Sequence, residues 1–170
     1  MQNHFELFQL PQTFTLDLSQ LESHYRSLQA EVHPDKFVNA SPAERMRSMQ
    51  MATLANEAYQ TLKHPTARAR YLLQLQGVET EEENNTAMPA DFLMAQMEWR
   101  EAMEDARHAK DVNALDQLLA DMRAQARDLQ QTLATALANE PARAALTVRK
   151  LRFIDKVSED VNQLIATLED

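Results

Sequence analysis

Apolar residues recur three and four positions apart along much of this chain, which is the spacing that places them on one face of an α-helix. The segment from Asp17 to His33 is the first example, and Asp17 with Gln20 three residues later resembles a capping box. Pro34 is expected to end this helix, because proline disfavours helical geometry in the residue before it. The apolar stripe consists of Leu18, Leu21, Tyr25, Leu28 and Val32.

A second long helix begins at Ser41-Pro42-Ala43-Glu44, which combines an N-cap serine, a proline in the first helical position and a reciprocal glutamate. It is expected to run to about Leu62 and to end at the break Lys63-His64-Pro65. A shorter helix then ends at Gly77, which suits a left-handed C-cap. The buried face of the second helix is predicted to contain Met51, Ala55, Ala58, Tyr59 and Leu62.

Three further helices are predicted over about residues 89–108, 112–139 and 142–168. Near-heptad stripes on successive helices joined by short turns indicate an antiparallel three-helix bundle. No segment alternates with a period of two, so the predicted fold is all-α. The predicted organisation is a first domain over residues 1–76, an acidic linker without periodicity over 77–88, and the bundle over 89–170.

Composition excludes several kinds of chemistry. The single glycine cannot supply a Walker loop or a G-x-G-x-x-G turn, both of which bring backbone close to phosphates. The absence of cysteine excludes a disulfide scaffold, a thiolate-ligated metal or cluster, and a cysteine nucleophile. No apolar run reaches about 18 residues and no secretory pattern opens the chain, so a soluble, cytoplasmic protein is expected.

Charge is distributed unevenly between the two halves. Residues 1–76 carry 7 basic and 7 acidic side chains, whereas residues 77–170 carry 10 basic and 19 acidic ones. The whole net charge of −9 therefore resides in the second half. Phosphate neutralisation needs a clustered basic face, so this distribution argues against nucleic-acid binding.

The tripeptide His33-Pro34-Asp35 lies between the two long helices of the first domain. Because proline fixes φ near −65°, the histidine and the aspartate are presented on a rigid turn. This order of elements resembles a J domain, the module that docks on DnaK-class ATP-driven chaperones and stimulates their ATPase. The resemblance extends to residues 56–62, similar to the end of that family's third helix, and to Pro65 and Arg68 beyond them.

The J-domain resemblance implies a chaperone-binding site made of His33, Pro34 and Asp35 with the nearby cations Arg26 and Lys36. Asp35 offers an acceptor-only carboxylate that can pair with an arginine, and His33 offers a donor or an acceptor. The basic face that precedes the tripeptide in this family is weak here, which favours a specialised chaperone partner. Without that helical frame, the tripeptide would be read as an ordinary polar turn.

The helix over 89–108 carries apolar residues on two faces. Leu93, Met94 and Met97 lie among acidic residues, opposite the face that suits the bundle core, and such an apolar patch rimmed with carboxylates is a candidate protein interface. The alternative is that the linker or the first domain covers this patch. The core face is predicted to contain Phe92, Ala95, Trp99, Ala102, Met103 and Ala106.

The whole arrangement is similar to the HscB family, the J-type co-chaperones dedicated to bacterial iron–sulfur cluster assembly. Residues 92–101 are similar to that family's first bundle helix, and residues 148–156 are similar to its signature on the last helix. Met97 and Asp105 stand where leucine and glutamate are frequent, and both replacements keep the character of the position. The resemblance implies a site for the iron–sulfur scaffold protein at Leu93, Met94, Met97, Glu98, Glu101, Asp105 and Phe153.

The resemblance implies a non-catalytic adaptor that stimulates an HscA-type chaperone and delivers an IscU-type scaffold protein to it. Phe153 lies at the edge of the predicted core stripe, so it also fits a peripheral core position. Two other functions remain open at this stage. A general J-type co-chaperone would bind many apolar peptides, and an enzyme would need a catalytic set for which the five histidines show no suitable spacing.

Overall fold

A computed structural model of the chain describes residues 2–81 and 88–170, and every regular element within those residues is helical. The predicted all-α class is therefore confirmed. A short 3₁₀ turn, Pro34–Phe37, separates the second and third helices. The helices are α1 (His4–Leu7), α2 (Leu18–Val32), α3 (Pro42–Lys63), α4 (Pro65–Leu75), α5 (Ala90–Ala109), α6 (Val112–Asn139) and α7 (Pro141–Glu169).

The helix ends follow the capping signals in the sequence. The Asp17 carboxylate accepts the backbone N–H groups of Ser19 and Gln20 at 2.9 and 3.2 Å, and the Ser41 hydroxyl accepts the N–H of Glu44 at 3.2 Å. These bonds satisfy donors that lack partners in the first turn of a helix. Gly77 closes α4 with φ of +77°, as its C-cap role predicts.

The chain divides into two compact units, Met1–Leu72 and Leu73–Asp170. The predicted acidic linker begins close to this boundary, and its residues 82–87 lie outside the described part of the chain. On either side of that gap, Thr80 and Met88 are buried within the second unit. The Thr80 carbonyl accepts a hydrogen bond from Arg149 Nη1 at 3.1 Å, so one end of the segment is tied to α7.

The first unit is built around a helical hairpin of α2 and α3, with α1 packed against α3. Tyr25 and Tyr59 stack across the hairpin, with ring centroids 4.0 Å apart and planes within 4°. The Tyr25 hydroxyl donates to Asn56 Oδ1 at 3.2 Å, which adds a polar tie to the same pair of helices. The buried apolar residues of this unit include Phe5, Phe8, Leu21, Ala55, Ala58 and Leu62.

The second unit is a three-helix bundle in which α5, α6 and α7 each contact the other two. Both predicted stripes on α6 and α7 face its core. Among the described residues no helix is both long enough and apolar enough to cross a membrane. The core includes Trp99, Met103, Leu115, Leu119, Met122, Leu151, Ile154, Val157 and Val161.

His4 makes the stability of the first unit sensitive to pH. Its ring stacks on Tyr71 at 4.3 Å, and burial lowers the pKa of His4, an effect that Glu57 partly opposes. A lowered pKa in the folded state means that the unfolded chain binds the proton first, so stability is lost as the pH falls below about 6.5. We expect His4→Phe, which keeps an aromatic ring on Tyr71, to flatten this loss in thermal unfolding measured from pH 7.5 to 5.

Two candidate docking surfaces

The turn between α2 and α3 is shaped by local hydrogen bonds. His33 is extended, with φ of −60° and ψ of 133°, as expected for a residue that precedes proline. Its Nδ1 accepts the backbone N–H of Asp35 at 3.2 Å, so the imidazole caps the 3₁₀ turn that follows. When the ring is neutral, this bond leaves Nε2 as the N–H donor. His33 therefore combines a structural cap with a free donor group.

The functional groups of this turn are accessible to a partner. The His33 side chain is 58% exposed and that of Asp35 is 89% exposed, while Pro34 is also at the surface. The His33 Nδ1 lies 3.6 Å from Asp35 Oδ2, so the imidazole and the carboxylate are close neighbours within the turn. Residues this exposed contribute little to a core, and their substitution is expected to leave the fold intact.

Of the two cations predicted for this site, one is already paired within the protein. Arg26 lies on α2 and its Nη2 contacts Glu22 Oε1 at 2.7 Å, with both side chains substantially exposed. Lys36 is exposed within the 3₁₀ turn. Because an exposed ion pair stabilises a protein by only about 0–1 kcal/mol, Arg26 can exchange Glu22 for a carboxylate on a partner.

A second surface lies on α5. Leu93, Met94 and Met97 expose 37%, 62% and 71% of their area, and the spacing of three and four residues places them together on one side of the helix. We call these three residues the α5 patch. Within the second unit, these large apolar side chains are left in contact with solvent. Such a patch is typical of an interaction surface.

Three exposed acids continue the α5 patch along the helix. Glu98 follows Met94 by four residues, and Glu101 and Asp105 follow Met97 at successive steps of four. This spacing puts the carboxylates on the same side of α5 as the apolar residues. The described residues contain no group of three or more potential ligands that could hold a metal ion. Carboxylates beside an apolar patch provide charge complementarity to a basic partner.

The opposite side of α5 forms part of the bundle core, with one difference from the sequence prediction. Phe92, Trp99, Met103 and Ala106 are buried as expected, but Ala102 is exposed. Ala102 lies at the edge of the apolar wedge, about 100° from Met103, and its methyl group is too short to reach the core from there. The prediction for Ala102 was wrong for this reason.

Phe153 on α7 lies at the edge of the bundle core and is partly exposed. The residue is half-buried, and its ring lies 6.1 Å from that of Phe92 and 6.3 Å from that of Trp99. Arg100 covers the ring with its guanidinium carbon 5.6 Å from the centroid, while Arg100 Nη1 contacts Asp160 Oδ2 at 3.1 Å. Phe153 thus packs on the α5 residues that flank the patch and retains an accessible portion.

Comparison with known proteins identifies relatives over nearly the full length. A family profile described as the HSCB C-terminal oligomerisation domain matches residues 88–162. The chain is 51% identical over 169 residues to the co-chaperone protein HscB homolog of Ralstonia nicotianae, covering 98% of this chain and 96% of that protein.

Solved structures of HscB proteins share the architecture. The chaperone HscB from Vibrio cholerae is similar with a TM-score of 0.87 and 41% identity, over 98% of this chain and 99% of that one. The human co-chaperone protein HscB gives a TM-score of 0.91 at 28% identity, over 96% of this chain and 82% of that one. A J domain followed by a helical C-terminal domain is thus the fold of this chain. Sequence and structure together show that the chain belongs to the HscB family of co-chaperones.

Proposed function

We propose that this protein is a two-ended adaptor for iron–sulfur cluster assembly. It stimulates ATP hydrolysis by a specialised DnaK-class chaperone of the HscA type and delivers to it an IscU-type scaffold protein. The observation that carries the proposal is that each of the two units exposes its own surface, the His33-Pro34-Asp35 turn in one and the α5 patch in the other. Full-length similarity to HscB co-chaperones supports the same assignment.

The first end is proposed to act by binding one chaperone conformation better than another. A carboxylate at Asp35 pairs with a chaperone cation, and the free donor of His33 bonds to an acceptor across the interface. Pro34 restricts the turn, while Arg26 and Lys36 meet acidic groups on the partner. Because differential affinity shifts a conformational equilibrium, the adaptor raises the chaperone's ATPase rate without hydrolysing ATP itself.

The second end is proposed to hold the scaffold protein through the α5 patch together with Phe153. Leu93, Met94 and Met97 supply apolar area, and methionine adapts readily to the shape of a partner. Glu98, Glu101 and Asp105 form an acidic rim that orients a basic scaffold surface. No cofactor is needed for this role, and the iron–sulfur cluster travels as cargo on the scaffold. The proposed location is the bacterial cytoplasm.

Joining the two ends in one chain raises the effective concentration of scaffold at the chaperone. Equilibrium titrations test this proposal directly, with the chaperone and the scaffold each added alone and then together. We expect a complex of all three proteins in which neither partner displaces the other. Competition between the partners for one site would contradict the adaptor role. Equally tight binding of unrelated apolar peptides would favour a general J-type co-chaperone.

The acidic rim is expected to control how fast the scaffold associates. In the variant Glu98→Gln/Glu101→Gln/Asp105→Asn, we expect the association rate at low salt to fall about tenfold and its salt dependence to weaken, because electrostatic steering is lost. Stopped-flow kinetics measured between 20 and 300 mM salt would show both effects.

A matched control changes the same charge elsewhere in the bundle. Asp116, Asp121 and Asp128 are exposed acids on α6, and replacing them with asparagine alters the net charge equally. The control variant is expected to retain most of the association rate. An equal slowing in both variants would show that only overall charge matters, and the rim would then have no specific role.

A further inference from the structure

Ser48 forms a partly buried hydrogen bond beside the proposed chaperone-binding turn. It lies on α3, is almost fully buried, and its hydroxyl donates to the backbone carbonyl of Val32 at 2.5 Å. Val32 is the last residue of α2 and directly precedes His33. The bond therefore joins the end of α2 to α3 immediately before the tripeptide.

The Val32 carbonyl needs a hydrogen-bond donor from outside the helix because α2 ends there. The last carbonyls of a helix have no intrahelical partners. If α2 continued, the N–H of Lys36 would bond to Val32, but that N–H donates instead to the His33 carbonyl at 3.0 Å. The Ser48 hydroxyl bonds to the Val32 carbonyl in place of the Lys36 N–H. Val32 is only partly exposed, and a partly buried carbonyl that loses its donor is less favourable. The bond therefore favours the observed end of α2.

We propose that Ser48 is a positioning residue for the chaperone-binding turn. By fixing the Val32 carbonyl against α3, it holds the following peptide, and with it His33 and Asp35, in a single arrangement. Without this bond the turn samples other arrangements, and the apparent affinity falls in proportion to the population of the competent one. The inference rests on the proposed function and adds to it a residue that contacts no partner.

Two variants at position 48 and one control test the inference. Ser48→Ala removes the hydroxyl, and Ser48→Thr retains it. Ala55→Gly weakens the same helix at another buried position, about two helical turns beyond Ser48. In steady-state ATPase assays, we expect Ser48→Ala to raise the concentration needed for half-maximal stimulation about fivefold. Ser48→Thr should restore most of the affinity, and Ala55→Gly should behave like the unchanged chain.

Amide hydrogen exchange followed by NMR gives a readout that does not depend on the chaperone. The Lys36 amide, bonded to the His33 carbonyl, is expected to exchange faster in Ser48→Ala and to regain protection in Ser48→Thr. Faster exchange with unchanged stimulation would overturn the positioning role, as would equal losses in Ser48→Ala and Ala55→Gly. An unchanged chain that stimulates no chaperone would refute the proposed function instead, while exchange at Lys36 would still decide whether Ser48 anchors the turn.

Discussion

His33→Gln is expected to reduce stimulation of the chaperone's ATPase to less than about a tenth while leaving the fold intact. Central polar contacts at interfaces contribute on the order of 2 kcal/mol or more, and glutamine cannot reproduce the rigid ring that caps the turn and donates outward. His33 is more than half exposed, so its loss removes no core packing. Steady-state ATP hydrolysis and thermal unfolding, measured on the same preparations, separate these two effects.

The chain itself offers a matched control for this substitution. His64 also precedes a proline, is exposed and ends a long helix with an extended backbone. His64→Gln therefore makes the same chemical change in a similar local setting but away from the tripeptide. We expect His64→Gln to leave stimulation unchanged. Equal losses in the two variants would contradict the assignment of the chaperone site to the turn at His33.

The second large effect is expected at the α5 patch. Leu93→Ala/Met97→Ala should weaken scaffold binding about 100-fold, or roughly 2.7 kcal/mol, because two apolar side chains no longer become buried at the interface. Both residues are exposed in the free protein, so the free energy of unfolding should change little. Isothermal titration calorimetry gives the affinity. Fluorescence of Trp99, the one tryptophan of the chain, reports unfolding of the bundle.

Met46 and Met49 provide the control for nonspecific apolar binding. They are large apolar residues on α3 with exposure similar to that of Met94, but they lie in the first unit. Met46→Ala/Met49→Ala is expected to retain scaffold affinity. Phe153→Ala needs separate interpretation, because loss of its contacts with Phe92 and Trp99 lowers bundle stability as well. A patch variant that binds the scaffold normally would refute the proposed site.

The helices and their ends could be predicted because their signals are local. Ser41 and Asp17 cap helices through bonds to residues two and three positions away, and Gly77 adopts the positive φ that its type permits. The apolar stripes on α6 and α7 likewise follow from a 3.6-residue period. These features depend on neighbours along the chain, so periodicity and capping rules are sufficient to find them.

Tertiary contacts were harder to predict. The sequence places Phe153 at the edge of a stripe, but its packing against Phe92 and Trp99 depends on how α5 and α7 meet. Thr80 was assigned to the acidic linker, yet it is buried, and its carbonyl accepts a hydrogen bond from Arg149 on α7. Neither contact has a signal in the spacing of nearby residues.

The burial of Ser48 has a signal in the sequence, although its hydrogen-bond partner does not. It lies three residues before Met51 and seven before Ala55, and therefore on the continuation of the apolar face of α3. A polar residue in such a position is buried only with a hydrogen-bond partner. The identity of that partner, the carbonyl at the end of α2, could be learned only from the structure.

The most direct test of the adaptor role is steady-state ATP hydrolysis by the HscA-type chaperone with this protein, with the scaffold, and with both. We expect the two together to stimulate more than the sum of their separate effects. His33→Gln should abolish both stimulation and synergy, whereas Leu93→Ala/Met97→Ala should abolish only the synergy. Stimulation that is the same with and without the scaffold, and in the patch variant, would contradict the account and indicate a general J-type co-chaperone.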